Sequence, residues 1–202
     1  MSDAAKSAPS SDSPRRRGRV APFVVLTVAV VIAGLFWILI LAKADDAAET
    51  SYTPLLDKPA PAVRTTTLDG ATFDLQRRKG SWVVLNFFNS TCVPCVREHP
   101  ELVQFAEQQD RLGSAGAELY TVVSTNDRES AVAAFFAQNG GTWPVLVDPD
   151  AEIQVAFGVS KVPETWIIDP DGRIVYRTIS QVTDDSLTSQ LADLRTVYNQ
   201  VG

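Results

Sequence analysis

Trp82-Val83-Val84-Leu85-Asn86-Phe87-Phe88-Asn89-Ser90-Thr91-Cys92-Val93-Pro94-Cys95 is the stretch on which the fold turns. Residues 82–88 are almost continuously apolar, as a central strand covered on both faces must be, and they run straight into the only two cysteines of the chain. Three positions apart at a strand-to-helix junction, these thiols have the context of a redox pair. A bridge across so short a loop adds only about 2 kcal/mol, against roughly 4 kcal/mol for a loop of several tens of residues, so reactivity explains the pair better than stapling does. With Cys92 at the first turn of the following helix, unpaired N–H groups and the helix dipole favour its thiolate, which makes it the attacking thiol. Cys95, one turn further in and shielded by helix packing, resolves the mixed disulfide. Pro94 between them suits a first helical position and preorganises the ring.

Outward from this junction the pattern alternates. Upstream, residues 62–67 and 72–75 read as a hairpin around Asp69-Gly70. Downstream come a helix at 93–112, a strand at 117–124, a helix at 129–139, a strand at 144–147 and a short helix at 151–157. A second hairpin, 165–169 and 173–177, turns at Pro170-Asp171-Gly172, and Leu187, Leu191, Leu194 and Val197 mark a last helix over 184–198. Pro100 should bend the first of these helices by removing a backbone hydrogen bond. No internal repeat is visible, so residues 62–202 are expected to form one α/β domain, a central mixed sheet with helices on both faces.

The N-terminal part is different in kind. Residues 1–19 carry five basic side chains against two acidic ones, a charge of +3, whereas the remaining 13 basic and 22 acidic residues give −9. That acidic balance argues against nucleic acid as a partner, because phosphate neutralisation needs clustered Lys and Arg. Residues 20–42 contain no charge and as a helix span roughly 34 Å, enough to cross the hydrocarbon core. The run is longer than a secretory signal core and ends in bulky residues, so an uncleaved anchor is expected rather than a cleaved signal peptide. Arg15, Arg16, Arg17 and Arg19 precede it, which by the positive-inside rule keeps the basic tail 1–19 cytoplasmic and exports the C-terminal domain. Residues 43–61 read as a polar tether.

Glu98 and His99 follow Cys95 by three and four positions and fall on the cysteine-bearing side of a regular helix. A carboxyl partly desolvated beside a thiol can move the proton that Cys95 must lose, so Glu98 is the acid–base candidate. Two thiols and one histidine are too few for structural zinc. A Cu(I) carrier built on Cys92, Cys95 and His99 is the alternative from another class. A peroxidase lacks its Pro-x-x-x-Thr-x-x-Cys arrangement, since Thr91 is adjacent to Cys92.

Taken together, residues 79–88, the Cys-Val-Pro-Cys pair, Glu98 with Pro100, and Gly158-Val159-Ser160-Lys161-Val162-Pro163-Glu164-Thr165 followed by Trp166-Ile167-Ile168-Asp169 resemble the thioredoxin superfamily, in its TlpA, ResA and CcmG (DsbE) branch. The resemblance covers about residues 52–201. It implies a thioredoxin fold and thiol–disulfide exchange without a cofactor. It also implies that Pro163 is a cis-proline facing the disulfide and that the backbone of Val162 pairs with an extended substrate segment. Glu164 is either a cleft residue or an exposed one. Asn86 stands where ordinary thioredoxins carry a buried Asp, and Thr91 where this branch usually has Trp, a departure that bears on substrate grip and on Cys92, not on the fold. The branch commonly keeps apocytochrome c cysteines reduced with electrons from a membrane thiol reductase; the rival role is an oxidase or isomerase of exported proteins.

Overall fold

The computed structural model describes residues 20–41 and 53–201. The expected basic tail 1–19 and the first part of the expected tether, 43–52, lie outside the described residues. The chain divides into two units at residues 46 and 47.

In the first unit, α1 (Val20–Leu41) is an uncharged helix of 22 residues. Its described side chains, residues 24–37, are exposed, Val25 at 68% and Trp37 at 66%. A span requires roughly 20 apolar residues. Among the described residues, whose side chains in α1 run only from 24 to 37, no helix is long and apolar enough to cross a membrane.

The second unit is built on β3 (Val83–Phe88), all of whose side chains are buried. A short hairpin precedes it, β1 (Arg64–Thr66) with β2 (Thr72–Asp74), closed at Gly70, where φ is 85° and only glycine is unstrained. After β3 come α2 (Val93–Arg111), β4 (Glu118–Val123), α3 (Glu129–Asn139), β5 (Val145–Leu146), α4 (Glu152–Phe157), β6 (Glu164–Ile168), β7 (Ile174–Thr178) and α5 (Asp184–Val201). These match the expected elements within a few residues, and α2 continues through Pro100. The sheet order is β5-β4-β3-β6-β7, with β3, β4 and β5 parallel and β6 and β7 antiparallel to their neighbours.

Strand periodicity sorts the side chains of β3 between two cores. Val84 packs with Leu102, Phe105, Leu187 and Leu191 beneath α2 and α5, and Phe88 with Cys95 and Val132 of α3. Val83, Leu85 and Phe87 pack on the other face with Trp166, Ile153 and Phe157. That second face carries the short helix α4 and is completed by Ala60, Val63, Phe73 and Leu75 from the segment before β3. The same segment blocks both sheet edges. Asp57 and Ala60 donate to Ile174 and Gly172 carbonyls beside β7, and Leu68 and Val147 exchange hydrogen bonds with Val145 and Thr66 beside β5.

Candidate active site

Cys92 is the N-cap of α2, in extended backbone conformation, and its Sγ accepts a hydrogen bond of 3.2 Å from the Cys95 N–H. The helix starts here because Pro94 occupies its first turn without needing a donor. Cys92 and Cys95 are joined in a disulfide. Cys95 is buried at 1% exposure and Cys92 is half-buried, so only one of the two sulfurs meets a partner.

Two loops hold this junction in place. Asn89 Oδ1 accepts from the backbone N–H and the hydroxyl of Thr91, while its Nδ2 donates to Asn126 at 2.9 Å. Ser90 donates through its backbone and hydroxyl to Asp127. Opposite stands the turn before β6, where the Val162–Pro163 peptide is cis and the Val162 carbonyl oxygen lies 3.6 Å from Cys92 Sγ. Between the loops opens a cleft of about 450 Å³ lined by Thr91, Cys92, Ser124, Asn126, Lys161 and Val162 among others. Thr91 turns its hydroxyl back onto Asn89, so a small polar side chain rims the cleft where a bulky aromatic was the expected family residue. A depression of about 270 Å³ near Gln109 and Trp143 sits at the other end of β4 and holds no thiol.

Glu98, one turn beyond Cys95, is 2% exposed. Its Oε1 accepts from Asn86 Nδ2 at 2.6 Å and its Oε2 from the Val182 N–H at 2.9 Å. Burial pushes its pKa up to about 8, against the two hydrogen bonds that favour the carboxylate, so Glu98 holds a proton at neutral pH next to the buried half of the redox pair. The donors come from far along the chain. The loop before α5 and the first residue of that helix hold α2 at three points, at Pro94 through Gln181, at Glu98 through Val182 and at Glu101 through the Asp184 N–H.

Two expectations change here. His99 is buried at 1%, bonds the Gly140 carbonyl through Nε2 at 2.9 Å, and is enclosed by Phe88, Phe135, Phe136 and Trp143. Its pKa is lowered by burial. It is a core residue, and among the described residues no group of three His, Cys, Asp or Glu is placed to hold a metal, so the copper set of Cys92, Cys95 and His99 is not assembled.

Glu164 is neither exposed nor in the cleft. It is 0% exposed and its Oε1 accepts from Arg177 Nε at 2.8 Å, with the guanidinium stacked 4.9 Å from the Trp166 ring. Its pKa is raised by burial, with Arg177 opposing. The physical reason is strand parity: Glu164 alternates with Trp166 and Ile168 on the core face of β6. Removing one partner strands a buried charge. Arg177→Met is therefore expected to lose about 3–5 kcal/mol in a denaturant titration, and adding Glu164→Leu to recover most of it. A loss below about 1 kcal/mol, the range of an exposed pair, would contradict this assignment.

Comparison with known proteins gives the same picture. The Redoxin family description matches residues 55–197. The chain is 31% identical over 136 residues to the thiol-disulfide oxidoreductase ResA of Bacillus anthracis, covering 67% of this chain and 76% of the relative. It is 32% identical over 178 residues to the thiol:disulfide interchange protein DsbE homolog of Paracoccus denitrificans, covering 85% and 92%. The crystal structure of the thioredoxin domain of a Bacteroides vulgatus thiol-disulfide oxidoreductase superposes with a TM-score of 0.61 at 21% identity, over 71% of this chain and 99% of that one, a likeness of fold.

Proposed function

Because this chain belongs to the Redoxin family and is a thiol–disulfide oxidoreductase of the DsbE and ResA type, we propose that it reduces protein disulfides outside the cytoplasm, held there by an N-terminal anchor. The observation that carries the reading is the placement of Cys92. It caps α2, half-exposed, with its sulfur against the Val162 carbonyl and with Cys95 buried behind it.

An extended substrate segment pairs with the Val162 backbone beside Pro163, and its disulfide is attacked by the Cys92 thiolate. Cys95 then gives its proton to Glu98, which is the carboxylate in the reduced protein, and attacks Cys92 Sγ; this releases the reduced substrate, restores the internal disulfide and leaves Glu98 protonated. Strong oxidants of this chemistry owe their potential to a stabilised reduced thiolate. Among the cleft residues only Lys161 is cationic, and a carbonyl oxygen faces Cys92, so the thiolate gains little beyond the helix N-terminus. That supports a reductant. Apocytochrome c before haem attachment is the proposed substrate and a membrane thiol reductase the proposed electron source, both from the family resemblance.

The uncharged sequence 20–42, preceded by Arg15, Arg16, Arg17 and Arg19, supports a span there with residues 1–19 cytoplasmic and 62–202 exported on the tether 43–61.

The reduction potential decides direction. In the full chain in detergent, equilibrated with graded thiol buffers, a value near or below about −250 mV is expected, whereas about −120 to −180 mV would make the protein an oxidase or isomerase instead.

A further inference from the structure

Asn86 is 1% exposed on β3, on the strand face that carries Val84 and Phe88. Its amide nitrogen has two hydrogens and both are engaged, one on Glu98 Oε1 at 2.6 Å and one on Thr165 Oγ1 at 3.2 Å. Its carbonyl oxygen has no partner. Among the described residues the other buried acceptor left unpaired is Glu164 Oε2, on the opposite face of the sheet, beside Trp166. An orphaned carbonyl in a dry core is disfavoured, and a native structure keeps one where something else compensates.

The redox state supplies what is missing. Cys95 lies one turn from Glu98 on the buried side of α2, and it packs in the cluster that contains Phe88, two positions from Asn86. In the disulfide its sulfur carries no hydrogen and can donate nothing. Once reduced, it becomes a buried thiol that needs an acceptor, and Asn86 Oδ1 is a buried acceptor on that face with no partner of its own.

We propose that Asn86 is a positioning residue for the proton that passes between Cys95 and Glu98: its Oδ1 accepts the S–H of reduced Cys95 while its Nδ2 holds the carboxylate that gave the proton up. The inference rests on the thiol–disulfide chemistry above. A thiolate of a dithiol donor attacks Cys92 Sγ and breaks the Cys92–Cys95 bond. Cys95 leaves as thiolate and takes the proton of Glu98. The second thiolate of the donor then attacks its own sulfur in the mixed disulfide and releases Cys92 as thiolate. Two electrons have moved from the donor, now a disulfide, into the protein, and Glu98 is left as the carboxylate that takes the proton back when Cys95 next attacks. The Asn86 amide serves both new ends of that transfer at once, with an acceptor for the thiol and a donor for the carboxylate. Leucine, of similar size, offers neither.

The test is the redox equilibrium of the full chain in detergent against a dithiol buffer. A hydrogen bond present only in the reduced form favours that form, so Asn86→Leu is expected to shift the equilibrium toward the disulfide by about tenfold. A merely structural role would weaken the oxidised and reduced forms alike and leave the equilibrium within about twofold of the unaltered chain, which would overturn the proposal. A second measurement needs no substitution at Asn86. With asparagine side chains labelled with carbon-13 at the carbonyl, the infrared difference between oxidised and reduced protein should show one asparagine carbonyl moving to lower frequency on reduction. No such band overturns the proposal even if the Leu variant fails to fold. Absence of any reversible couple in the unaltered chain would sink the functional reading itself, whereas an intact couple unmoved by Asn86→Leu sinks only this inference.

Discussion

Cys92→Ser is expected to reduce turnover of a protein disulfide, followed with a dithiol donor, to the rate of the donor alone. The chain has two cysteines, and the other is buried at 1% exposure, so no second thiol can meet the substrate. A serine hydroxyl at the same N-cap keeps the helix capped but does not ionise near neutral pH, and the thiolate is the nucleophile. Relative to the reduced chain, stability should change little while activity disappears. Cys95→Ser should separate the two steps. Cys92 still attacks, the resolving sulfur is gone, and the mixed disulfide accumulates as a covalent adduct visible on a non-reducing gel. Turnover retained by Cys92→Ser would remove the Cys92–Cys95 pair from the mechanism altogether.

The other large effect is on stability against pH, and it comes from Glu98. In the fold its carboxyl keeps its proton to about pH 8, against an ordinary value of 4.5. Below 4.5 both folded and unfolded chains hold that proton and its contribution to stability is fully present. As pH rises from there the unfolded chain gains by ionising while the folded one stays neutral, so stability falls until about pH 8 and then levels off. At 1.36 kcal/mol per unit of pKa the whole loss is roughly 5 kcal/mol. Glu98→Gln removes the titration and keeps the shape. Denaturant titrations from pH 5 to 9 should therefore show the stability of the unaltered protein falling relative to that of the variant, the contributions of His99 and Glu164 being common to both. Two parallel curves would mean that Glu98 is not held neutral, and its part in moving the Cys95 proton would go with it.

The main elements were legible because their signals are local. An apolar run ending in two cysteines, turn residues at Asp69-Gly70 and Asp171-Gly172, and leucines at helical spacing in α5 each depend on neighbours in sequence. The attacking and resolving thiols could be assigned from their position at a helix start. Glu98 was found by its spacing from Cys95, although spacing could not say whether it was solvated. What was missed is what depends on distant pairing. Val182, 84 residues from its hydrogen-bond partner Glu98, sits in a loop with no motif of its own. Glu164 was expected in the cleft or in solvent because of its neighbour Pro163. One signal was available: an acidic residue and Arg177 stand inside the two apolar strands of one hairpin, which is the sequence trace of a cross-strand pair.

The sequence by itself determined the α/β alternation, the redox pair and which thiol attacks, because strand burial, helix initiation and thiolate stabilisation are set within a few residues. Only the tertiary structure decided that Glu98 is dry and neutral, that His99 belongs to an aromatic core, and that Glu164 is turned onto Arg177. Those outcomes depend on which surfaces cover a side chain. Desolvation and hydrogen-bond partners arrive from elements far apart in the chain, and no local pattern encodes them.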